Sequence, residues 1–160
     1  MSGTEKPKTT IDERRKIGAK GVDLFVKKGR KYCPDLTFHR TSDMYAPFDV
    51  EIKRKGLLIA FVEVKHRQDW DSLLFPYPTI RMPYQKVAEA QKTNVPVVYA
   101  ILSNGGDDVR TYFNIASIGA RLKPNRGGGA QWGVSYEVSS EEFGRGWSDF
   151  WRIINQLWAA

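Results

Sequence analysis

The sequence predicts an α/β domain in which helices flank a central mixed β-sheet. Three observations carry this. An amphipathic helical stretch comes first, apolar segments with strand-like alternation follow it, and helical stretches separate and close them. At 160 residues the chain has the length of one domain, and 41% hydrophobic against 27% charged residues is enough to bury a core. No internal repeat is visible.

Residues 1–9 are polar, with Pro7, and read as a flexible tail, leaving 10–160 as the domain. Thr10-x-x-Glu13 is a capping-box pattern, so a helix is expected from Ile11 to about Lys28, stopped by Gly29. At about 100° per residue, Ile17, Gly18, Gly21, Val22, Leu24 and Phe25 share one face, with Lys16, Lys20, Asp23 and Lys27 opposite. Two glycines on the packing face imply close approach to something flat, such as a sheet. Strands are expected at Leu36–Thr41, Phe48–Lys53 and Leu57–Lys65, with a tight turn at Lys55-Gly56. Gln68–Pro83, which holds three prolines, reads as loop. A short helix over Tyr84–Thr93 precedes a strongly apolar strand, Val95–Ser103, and a partner strand around Arg110–Ile115. After a Pro/Gly/Arg loop at Lys123–Gly129, Trp132–Val138 is a strand candidate. A helix from about Ser148 displays Phe150, Trp151, Ile154, Leu157 and Trp158.

Composition narrows the setting. The single cysteine, Cys33, excludes an intrachain disulfide and a cysteine-built zinc site. The start MSGTEKPKTT lacks the apolar core of a signal peptide, and no apolar run reaches the roughly 18–20 residues of a membrane span. These features lead to the expectation of a cytoplasmic protein with no membrane partner. A net charge of +7 fits a polyanionic partner, because neutralising phosphates releases counterions, and equally fits an inert basic surface.

One hairpin concentrates the chemistry. If its turn centres on Gly56, residues whose numbers sum to about 112 face each other, which sets Asp49 opposite Glu63 with Cβ atoms roughly 5 Å apart. Alternation puts Glu63 and Lys65 on one face. Two carboxylates brought together this way are costly unless a cation sits between them, and oxygen ligands at this spacing suit Mg²⁺, with the Val64 carbonyl as a further ligand. The turn can also close as a two-residue loop, and a one-residue slip would send one strand's side chains to the other face. Read as packing alone, Glu63 and Lys65 would be a solvated pair ending a buried strand.

Pro47-Phe48-Asp49 followed by Phe61-Val62-Glu63-Val64-Lys65 resembles the split PD…(D/E)XK signature of a nuclease superfamily, with Phe48 interposed after the proline. Gly18 to Arg67, about a third of the chain, is also similar to small members that include Holliday-junction resolvases. Gly18-Ala19-Lys20-Gly21 matches their helix motif in part, with Val22 where a glutamate is usual. The resemblance implies a restriction-endonuclease-like core and Mg²⁺-dependent (or Mn²⁺-dependent) phosphodiester hydrolysis in DNA, by an endonuclease. Asp49, Glu63 and Lys65 would be catalytic, and Asp49, Glu63 and Val64 would hold the metal. The helix acid would be Glu13, at the edge of the sheet-facing side, rather than Asp23 on the polar side. It further implies that Arg67 and Lys86 contact nucleic acid. A structure-selective junction resolvase, and a catalytically silent nucleic-acid-binding module with the same fold, are the alternatives. The compartment would be the cytoplasm or nucleoid, or the host cytoplasm for a viral source.

The remaining candidates weigh toward structure. His39 has no near partner and reads as a surface residue. Arg126-Gly127-Gly128-Gly129 lacks the strand–GxxxxGK context of a phosphate loop. Trp147, Trp151 and Trp158 have helical spacing that suits core packing or a homodimer interface on the C-terminal aromatic helix better than base stacking.

Overall fold

The structure, a computed structural model, describes residues 11–41, 47–71, 74–125 and 134–159, the first seven of these by their backbone alone. The expected tail, the capping residue Thr10, the Arg126–Gly129 loop and Trp132 lie outside the described residues. The chain runs α1 (Ile11–Tyr32), β1 (Thr37–Arg40), β2 (Val50–Arg54), β3 (Leu57–His66), β4 (Thr79–Pro83), α2 (Tyr84–Gln91), β5 (Val97–Leu102) and β6 (Val109–Tyr112). A 3₁₀ turn (Ile115–Ser117) leads into the short α3 (Ile118–Arg121), then β7 (Ser135–Ser139), β8 (Gly144–Arg145) and α4 (Gly146–Ala159).

Six strands form the central sheet in the order β1-β2-β3-β5-β6-β8, and β4 pairs with β7 in a separate two-stranded sheet. Within the large sheet β3 and β5 are parallel and every other pair is antiparallel. The parallel pair needs a crossover, and the segment carrying β4 and α2 supplies it. All six residues of β5 are buried, as its continuous apolar run demands of a strand covered on both faces.

Each face of the sheet carries its own core. On one, Val22, Phe25 and Val26 of α1 and Trp147, Phe150 and Ile154 of α4 pack on Phe38, Val50, Ile52, Val62, Val98 and Ala100. On the other, Ile80 and Met82 of β4, Val87 and Ala90 of α2, Ile118 of α3 and Val138 of β7 cover Val97, Tyr99, Ile101 and Tyr112.

Several expectations are corrected. Gly29 does not stop α1, which runs on to Tyr32; a side chain there would collide with the Phe38 ring, so this glycine serves close helix–sheet approach. Gly21 does the same against His66, whereas Gly18 meets nothing. Thr79–Pro83, read as loop, is a strand, and α3 and β8 were not anticipated. Trp147 packs in the core and its Nε1 donates to the Gly106 carbonyl (3.0 Å), but Trp151 and Trp158 are exposed.

Candidate active site

The β2–β3 hairpin reaches the predicted register through the two-residue turn and an unexpected bulge. Lys55 and Gly56 both have positive φ (51° and 80°), so the hairpin closes as a two-residue turn that pairs Arg54 with Leu57 and Lys53 with Leu58. Continued unbroken, that register would set Asp49 opposite Val62. Instead a β-bulge intervenes: Ile52 pairs with Ala60, leaving Ile59 as the extra residue. Beyond it Glu51 pairs with Phe61 and Val50 with Val62, which directs Asp49 toward Glu63. The Asp49 amide donates to the Val62 carbonyl (3.1 Å), and Asp49 Oδ2 accepts from the Val64 amide (2.9 Å). The carboxylate thus takes the place of the missing next residue of β2.

Thr41 fixes the segment from the other side, its hydroxyl donating to the carbonyls of Phe48 (2.8 Å) and Asp49 (3.0 Å). Asp49 faces Glu63, and Lys65 projects from the Glu63 face, at the end of the sheet where β2 begins and β3 ends. Val64 turns its side chain to the α1 face and its amide toward Asp49; its carbonyl points to the same edge of β3.

The electrostatics of the pair are unfavourable as they stand. Burial pushes Glu63 up to about 8, the Asp49 charge adds to the shift, and Lys86 opposes it. Asp49 is also raised, chiefly by burial, against the Val64 amide, Lys86 and Arg40. Glu63 Oε2 is buried with no hydrogen-bond partner among the described residues. Lys65, exposed as a whole residue, is held below the ordinary lysine range by desolvation of its ammonium and then by Arg67, with Glu63 opposing.

Lys86 of α2, expected to contact nucleic acid, lies inside this arrangement: its Nζ is 3.5 Å from Glu63 Oε1 and 3.8 Å from Glu89 Oε2, and donates to the Pro47 carbonyl (2.7 Å). Arg67 stands two residues beyond Lys65 with its guanidinium 4.7 Å above the Tyr77 ring. The Glu13 side chain lies outside the described residues. His39 is exposed, and His66 Nε2 is 2.9 Å from the Asn104 carbonyl oxygen, so neither joins the pair. Tyr99 was missed: it is registered beside Glu63 on β5, buried, and its hydroxyl is pushed upward by burial and by the Glu63 charge. The apolar run Val95–Ser103 gave no signal that its one tyrosine would border the acids.

Among the described residues no group of three or more His, Cys, Asp or Glu side chains gathers to hold a metal. A cation here would therefore rest on two carboxylates. Two buried acids, both raised and Glu63 partly by the Asp49 charge, with one oxygen orphaned, fit that role, and Mg²⁺ accepts one or two carboxylates when water and phosphate complete its shell.

A scan of protein-family models and a search of curated proteins each find no match. Among solved structures, a nuclease from a fusselovirus matches with a TM-score of 0.53 and 11% sequence identity, over 97% of this chain and 98% of that one. The likeness spans both chains nearly end to end and at this identity is a likeness of fold. The chain is thus a mixed α/β domain, a six-stranded sheet between helices, with a nuclease-like fold. No helix among the described residues is long and apolar enough to cross a membrane.

Proposed function

We propose that this chain is a metal-dependent nuclease of the PD-(D/E)XK type that cuts phosphodiester bonds within DNA. The carrying observation is the bulged hairpin, which spends an extra residue to face Asp49 toward Glu63 and leaves a buried carboxylate oxygen unpartnered. The fold shared with a viral nuclease supports the reading.

Asp49, Glu63 and the Val64 carbonyl hold the metal. Bound Mg²⁺, or Mn²⁺ in its stead, supplies Lewis-acid charge for the scissile phosphate and its departing oxygen. Lys65 projects from the same face as Glu63 and donates hydrogen bonds to the attacking water or a phosphate oxygen, offsetting charge that develops during cleavage. Its lowered pKa eases proton exchange with that water. Lys86 holds Glu63 and the Pro47 carbonyl together and so ties α2 to the segment that positions Asp49.

Duplex, branched and single-stranded DNA incubated with Mg²⁺ or Mn²⁺ should be cut. EDTA should stop the reaction, and Asp49→Ala should slow it by at least about 10²-fold, the scale of removing one transition-state electrostatic partner. Binding without cutting under either metal would overturn the proposal in favour of a silent binding module.

A further inference from the structure

Sheet register extends the site sideways. Lys65 is registered beside Ile101, Ile101 beside Arg110, and Arg110 beside Arg145. Registered neighbours project from the same face, so Lys65, Arg110 and Arg145 form a row across β3, β5, β6 and β8 on the face that carries Glu63. Arg67, two residues past Lys65, joins that face. With strands about 4.8 Å apart, the row reaches roughly 14 Å from Lys65 to Arg145.

Several surface cations of the molecule have acid partners. Lys28 pairs with Asp107, Arg40 with Asp23, Arg121 with Glu142 and Arg152 with Asp149. Among the described residues Arg67, Arg110 and Arg145 form no ion pair. The acids that influence them are otherwise engaged, Asp69 by the Tyr77 hydroxyl and Asp108 by the Val109 amide. Like charges also meet along the row: after desolvation, Arg67 lowers the Lys65 pKa with Glu63 opposing, and Arg110 is lowered by desolvation, opposed by Asp108, with Arg145 adding a smaller lowering.

Two of the guanidinium groups are also held in place. Arg67 lies over Tyr77, while Arg110 lies 5.7 Å from the Trp70 ring centre and 5.3 Å from that of Phe75. The three rings brace one another edge to face, Trp70 to Phe75 at 4.9 Å and Phe75 to Tyr77 at 5.4 Å. The Nε atoms of Arg67 and Arg110 are buried without a hydrogen-bond partner among the described residues. The aromatic bed holds these guanidinium groups in place, and fixed cations with no ion-pair partner suit an anionic chain laid across them.

We propose that Arg67, Arg110 and Arg145 form a track for the DNA backbone, leading from the active site across β5 and β6 to β8, each arginine holding a phosphate. The track rests on the nuclease reading for its starting point at Lys65. Its test is separable from that reading. Binding of fluorescently labelled duplex and single-stranded DNA to the whole protein is measured in EDTA over a range of salt. Arg67→Gln and Arg145→Gln should each reduce the slope of log affinity against log salt by about 0.9 on duplex, or about 0.7 on a single strand. Lys53→Gln and Lys55→Gln, at the far end of the hairpin, remove the same charge and should leave the slope unchanged. Arg110→Gln adds a third step of the same size; because Arg110 also packs on Trp70, the exposed Arg145 carries the test if that variant misfolds. Arginine slopes indistinguishable from those of the two lysine controls would overturn the track, even if the protein cuts DNA. Slopes that fall as expected in a protein that never cuts would keep the track and sink the nuclease.

Discussion

Strand β3 sends Val62 and Val64 to one face of the sheet and Glu63 and Lys65 to the other, and the two faces diverge from there. On the α1/α4 face the core is a large apolar cluster around which the Trp147 indole N–H bonds the Gly106 carbonyl and the Thr111 hydroxyl is buried. Phe25, Phe38, Trp147 and Phe150 form a mutual cluster in which every pair of ring centres lies within 6.5 Å. The opposite face is equally well packed around Trp70, Met82, Ile101 and Ile115, yet its margin holds two raised acids, a lowered lysine and unpaired arginines. The α1/α4 side is mainly a packing face. The other gives up some stability to hold groups in states that only a ligand relieves.

The largest expected effect that separates the faces is at Glu63. Glu63→Gln keeps the shape and removes the charge, so cleavage should fall by about 10²–10³-fold while the metal-free protein becomes more stable at neutral pH. The sign follows from a folded-state pKa of about 8 against an ordinary 4.5. Below pH 4.5 the carboxyl is protonated in both states and contributes nothing. As pH rises from about 4.5 to 8 the unfolded chain gives up its proton first, so stability falls through that window and levels off above it. Thermal melts in EDTA across this range should show the decline in the parent protein and a flatter profile in Glu63→Gln. A decline of equal slope in both would mean that Glu63 is not the strained acid.

Next in size is the converse change on the other face. Phe150 is fully buried between Phe25, Phe38 and Trp147, so Phe150→Ala should cost about 3–5 kcal/mol, seen as a lower denaturant midpoint. Because the sheet stands between this cluster and the arginine row, the salt dependence of DNA binding should not change while the protein is folded. A changed salt slope in folded Phe150→Ala would show that the faces are coupled through the sheet.

The sequence made this division legible on one side and not the other. Alternation in Phe48–Lys53 and Phe61–Lys65 is enough to place Asp49, Glu63 and Lys65 on a common face once the register is known. The register at the site was the expected one, but the bulge that produces it was not legible, because Leu57-Leu58-Ile59-Ala60 is apolar throughout and shows no break. β4 was hidden for a related reason: its edge position tolerates Pro83, and its partner β7 lies far along the chain, so no local pattern marks the pair. Lys86 was legible only through the family resemblance, since a lysine on a short helix looks solvated until α2 is docked beside β3. Tyr99 and the Arg110–Arg145 neighbourhood depend on strand pairings that tertiary packing decides. For the helix acid, the wheel places Glu13 only at the edge of the sheet-facing side, and its side chain lies outside the described residues.

The smallest expected effect asks what assigns the faces. Gly56 has φ of 80° and open space where a Cβ would stand, so Gly56→Ala carries only the left-handed backbone cost, about 1–2 kcal/mol. Lys55→Asn, which places a tolerant residue at φ 51°, should recover part of that cost. If the turn set the register, weakening it would let β3 slip and trade Glu63 for Val62 opposite Asp49. The bulge argues against this. Beyond Ile59 the pairing of Val50 with Val62 and Ile52 with Ala60 is held by four fully buried side chains, independently of the turn. Gly56→Ala should therefore lose stability and keep its cleavage rate per folded molecule. A rate that drops further than the folded fraction does would show that the turn, and not the apolar face, holds Asp49 opposite Glu63.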